Sequence, residues 1–168
     1  MDLILAGILG AILAGGGKIL LELYKRHDDR KGVASAIAGE ISGILFSATT
    51  RDLPAYFAAL VPLLKTPNPP NPPWVYYDEK INPTPVLDAY LKRIGSLGGR
   101  FPERVAQFYT LYSSIIVTTR LVAGGSLNGQ PVAAALQIEG ALAIWVRASA
   151  DGKRLVDDLL ALCGEQPS

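Results

Sequence analysis

At 168 residues, 49% hydrophobic and only 18% charged, with a net charge of +1, the chain is long enough for one domain and carries no bulk field to gather nucleic acid. A mean hydropathy of +0.27 is what a membrane segment joined to a small globular domain produces. The one cysteine, Cys163, permits no internal disulfide, which suits a reducing compartment.

The first element is Leu3 to Tyr24, LILAGILGAILAGGGKILLELY. Its 21 residues from Leu3 to Leu23 would rise about 31 Å as a helix, matching a hydrocarbon core of about 30 Å. Leu3 to Gly17 is uncharged, and Lys18 and Glu22 fall late in the span, where both can reach the headgroups and pair at i, i+4. Gly7, Ala11 and Gly15 form one column of small residues and Ala6, Gly10 and Ala14 another, the spacing that lets membrane helices approach closely. Lys25, Arg26, Arg30 and Lys31 follow the span, against Asp2 before it, so the positive-inside rule puts the N-terminus outside and the body in the cytoplasm. A cleaved signal peptide is disfavoured because Met1-Asp2 is no basic n-region, and no cysteine follows for a lipoprotein anchor. The competing reading is a soluble or secreted helical protein that uses this apolar helix as a core or membrane-inserting segment.

A charged collar, residues 25–31, ends near Gly32, where the helix either continues or breaks. Val33, Ile37, Ile41, Ile44, Leu45 and Ala48 then recur at helical spacing to about Thr49. Asp52 before Leu53-Pro54 predicts a helix start with an N-cap acceptor, and Pro62 predicts its kink or end. Residues 66–74, TPNPPNPPW, hold five prolines and predict a stiff extended connector whose Trp74 packs on the body or docks to a partner's groove. Residues 75–82 read as an ordered loop. Further helices are predicted from Thr84-Pro85 to Ile94, from Phe101 to Val122, and from Pro131 to Cys163, the last with Ala135, Ile138, Leu142, Trp145 and Val146 inward and a bend near Gly152. The expected fold is all-α: a transmembrane anchor (1–24), the collar (25–31), a cytoplasmic bundle of about four to five helices (32–164) and a tail (165–168).

No motif for catalysis, metal or nucleotide stands. Gly15-Gly16-Gly17-Lys18 lacks the earlier Gly and the Ser or Thr after the Lys that a phosphate loop needs. Glu40 and Glu139 are carboxylates among apolar residues, but di-metal bundles also need Glu-x-x-His, and His27 in the collar is the one histidine. Each Glu is therefore expected to pair with Arg104, Arg120 or Arg147, or to accept a hydroxyl from Tyr109 or Tyr112. Cys163 lies near a helix C-terminus, whose dipole disfavours a thiolate. No enzymatic activity, cofactor, nucleic acid or small-molecule substrate is expected.

The apolar helix, basic collar, Ala38-Gly39-Glu40-Ile41, and the Ile94-Gly95-Ser96-Leu97 turn before Val105-Ala106-Gln107-Phe108-Tyr109 together resemble small, uncharacterised bacterial membrane-anchored helical proteins. The resemblance covers about residues 20 to 160. It implies a bacterial inner-membrane setting and carries over no activity or site residues. The expectation is a single-pass accessory or scaffolding subunit, embedded in the bilayer and bound to another membrane protein or to itself through Gly7, Ala11 and Gly15, with Trp74 as a second contact.

Overall fold

The computed structural model describes residues 2–66, 84–124, 127 and 129–164, with side chains from residue 22 onward. Trp74, the connector 66–74 beyond Thr66, the loop 75–82 and the tail 165–168 lie outside the described residues. All regular structure among the described residues is helical.

Helix α1 runs from Asp2 to Thr50 as one 49-residue element, so the collar does not interrupt it and Gly32 does not break it. At about 1.5 Å per residue it is roughly 73 Å long. Residues 22–29 are exposed, and among the described side chains the first buried one is Val33. From there Val33, Ala34, Ile37, Ala38, Ile41 and Leu45 form the buried stripe that the spacing predicts.

Asp52 reverses the chain in the left-handed region (φ 49°), which Asp tolerates better than most residues. Its side chain makes no cap bond, contrary to the N-cap expectation; its carbonyl accepts from the Tyr56 N–H. Helix α2, Leu53–Leu64, ends two residues past Pro62, whose carbonyl takes the Lys65 N–H. Helix α3, Pro85–Tyr90, tightens into a 3-10 helix over Leu91–Leu97 and stops at Gly98 and Gly99, both at positive φ. Helix α4 is Phe101–Ala123, with Glu103 in its first turn and Arg120 in its last, each suited to the dipole end it occupies. Helix α5, Pro131–Cys163, is a single 33-residue helix capped by Gly164 at φ 79°.

Helix α5 is the spine and packs on α1, α2 and α4. It runs antiparallel to α1: the Cys163 thiol donates to the Lys31 carbonyl at one end, and Gly152 meets Leu45 farther along. The two halves of α5 serve separate cores. Leu155 and Leu159 close with α1, with Ile94 and Leu97 of the 3-10 segment, and with Val105, Phe108 and Tyr109 of α4. Ala134, Ala135 and Ile138 close with Leu60, Val61 and Leu64 of α2 and Val122 of α4.

Gly152 fixes how closely α5 crosses the first core. A Cβ there would sit 2.6 Å from Phe108 Cε2 and 3.4 Å from Leu45 Cδ1, so only glycine fits this crossing without movement. Around Gly152 the helix is unbroken, and the glycine serves close approach. Val146, expected inward, is 69% exposed.

Candidate functional site

Between the two cores α1 and α4 stand apart, each packed on α5 and neither on the other's backbone. The space left is an open apolar groove of about 810 Å³. One wall is the small-residue face of α1: Ser35, Gly39, Gly43 and Ser47 fall at four-residue spacing and add almost no bulk. The other wall is Tyr112, Ile115, Ile116 and Thr119 of α4. Leu142 and Trp145 of α5 and Phe57 of α2 complete the lining. Thr119 hands its hydroxyl to the Ile115 carbonyl (2.9 Å), which leaves its methyl for the wall. Residues on the apolar faces of three helices, Ile44 and Ala48 of α1, Ile115 and Ile116 of α4 and Trp145 of α5, therefore line a cavity.

Two charged groups border this groove. Glu40 accepts from the Val86 N–H (2.7 Å), the Leu87 N–H (3.0 Å) and the Tyr109 hydroxyl (2.5 Å). Two of those donors are orphan amides at the start of α3, so a carboxylate 46 residues upstream caps a helix whose own Thr84 side chain makes no cap bond. Burial, together with the Glu40 carboxylate beside it, pushes the Tyr109 phenol well above its ordinary value. The hydroxyl stays protonated and locked as a donor. Arg51, at the C-terminal end of α1, is exposed on the lip and has no ion pair among the described residues.

The tyrosine partner expected for Glu40 is thus Tyr109, and the cap on α3 is the part that spacing does not reveal. Glu139 does not join it: its carboxylate pairs with Lys65 at 2.6 Å, and both side chains are more than 40% exposed. Two of the three arginines expected as its partners pair elsewhere. Arg104 holds Asp158 at 2.7 Å, and Arg147 faces Asp151 at 3.7 Å. Among the described residues no three His, Cys, Asp or Glu side chains gather at metal-binding distance. His27 is exposed on the collar, and Cys163 is half-buried, with its thiol also near the Leu159 carbonyl.

Gly7, Ala11 and Gly15 lie on the helical backbone of α1, but their surroundings fall outside the described residues, as does Trp74. Two described stretches, Glu22–Thr50 and Pro131–Cys163, are long and apolar enough to cross a membrane, and both also supply the bundle's core. No family model matches the chain, and no curated protein or solved structure matches it.

Proposed function

We propose that the protein is a single-pass accessory or scaffolding subunit of a bacterial inner membrane, with its N-terminus outside and its bundle in the cytoplasm, and that it performs no catalysis. The observation that carries this reading is the continuity of α1. An uncharged apolar stretch, an exposed charged segment at 22–29 and a core stripe from Val33 all belong to one rigid helix. Such a helix ties the bundle's position to the anchor with no hinge between them. The bundle also keeps apolar side chains outward on the helix that organises it: Val132, Leu136 and Val146 of α5 are each more than half exposed.

The partner is another membrane protein or a second copy, met in the bilayer along Gly7, Ala11 and Gly15. Replacing these three by Leu in the full chain, followed by cross-linking in native membranes, tests it. Loss of the cross-linked species is expected; an unchanged pattern overturns the assignment of that face.

One observation favours the alternative, a soluble or secreted helical protein. The apolar stripe from Val33 to Leu45 of α1, with Ala134, Ala135, Ile138, Leu155 and Leu159 of α5, packs inside the bundle, so apolar helix in this chain does not require lipid. Under that reading residues 3–24 would be covered by protein and not by acyl chains.

A further inference from the structure

From Ser35 to Arg51 the groove follows 16 residue steps of α1, roughly 24 Å of helix. That length and the 810 Å³ volume decide what can lie in it. A helix about 10 Å across and equally long occupies roughly 1,900 Å³, so more than half of it would stand outside this groove. A single acyl chain is far thinner, and one leaflet's share of a 30 Å hydrocarbon core is about 15 Å. The stretch from Arg51 back to Gly39, 12 steps or about 18 Å, takes such a chain end to end.

We infer that the groove binds one long acyl chain with an anionic head, the tail along the Gly39–Gly43 wall and the head at Arg51. The walls carry the apolar chain: glycine and serine on α1 leave room, and Tyr112, Ile44, Leu142 and Trp145 supply contact surface. The charges agree with this polarity. Arg51 at the lip offers a guanidinium with no ion pair among the described residues, and Glu40, farther along, has its carboxylate occupied by two amides and a phenol, so it does not repel the tail's neighbourhood as a free anion would. The anionic head of a fatty acid and that of a single-chain phospholipid share this chemistry. Nothing in the inference depends on residues 3–24.

The test uses the full chain in phosphatidylcholine nanodiscs, with Trp74→Phe leaving Trp145 as the sole tryptophan. Chain-brominated palmitate is titrated while Trp145 emission is followed, with the equally brominated hexadecanol as neutral control and brominated lysophosphatidic acid as the phospholipid arm. Saturable quenching by palmitate is expected, and shortening the acid by two carbons should weaken it about tenfold. Gly43→Leu, at a position where an added Cβ meets nothing within 4 Å, puts a side chain into the groove and should weaken binding at least about tenfold. Arg51→Glu should weaken the acid at least about fivefold and leave the alcohol nearly unchanged. Tighter quenching by lysophosphatidic acid would assign the phospholipid source. Non-saturable quenching, equal quenching in Gly43→Leu, or no dependence on chain length would overturn the inference. So would an absence of quenching with a Gly43→Leu change in oligomer mass, which would give the groove to a second copy.

Discussion

The Tyr109 hydroxyl donates to Glu40 Oε2 at 2.5 Å, joining α4 to α1 where their backbones do not touch. The same carboxylate takes two amides of α3, so one side chain fastens three helices beside the groove. Hydrogen bonds to a charged acceptor are each worth about 1.5–3 kcal/mol, and they share this one group.

Removing Glu40 should therefore cost more than its half-exposed position suggests. Glu40→Ala strands two helix-start amides and a phenol and should destabilise the bundle by about 2–4 kcal/mol in urea unfolding. Glu40→Gln keeps an acceptor and should cost roughly half as much. Hydrogen exchange at Val86 and Leu87 should speed up in both variants.

The raised Tyr109 phenol predicts a signed pH effect. The unfolded chain's tyrosine ionises near its ordinary 10.0, whereas the folded one keeps its proton, so above that point the unfolded state binds fewer protons. Stability contributed by this group is complete below about pH 10 and declines as pH rises further. Subtracting the unfolding profile of Tyr109→Phe from that of the unmodified chain should isolate a decline confined to alkaline pH. A flat difference would contradict the burial-and-carboxylate account.

Gly152→Ala places a methyl 2.6 Å from the Phe108 ring and should cost about 1–3 kcal/mol. Phe108→Leu alone also destabilises, through a smaller side chain in the core. In combination the two should cost less than their sum, because the shorter side chain makes room for the added methyl. A double-mutant cycle measures that coupling; strict additivity would contradict the close-crossing explanation.

Much of this architecture was legible in apolar periodicity. The stripe on α1, the starts at Leu53, Pro85, Phe101 and Pro131, and the stop at Gly164 all follow from local rules that act within a few residues. What the sequence hid is relational. Periodicity marks Ile44, Ile115 and Trp145 as inward but cannot say whether inward means a packed core or a cavity, because that depends on how far apart α1 and α4 are held. The Glu40 cap on α3 spans 46 residues and leaves no local signature. Glu139 finds Lys65, because α2 packs on that part of α5 and brings its C-terminal lysine alongside. Gly152 reads as a helix weakness in sequence and is a contact point in three dimensions.

Anchoring is the claim on which the functional reading turns, and alkaline carbonate extraction of membranes carrying the full chain tests it most directly. The account predicts that the protein stays in the pelleted bilayer and is released by detergent alone, while a chain beginning at residue 25 appears folded in the supernatant, since it keeps every core residue from Val33 onward. Release of the full chain by carbonate, or aggregation of the shortened chain for want of a core helix, would contradict it.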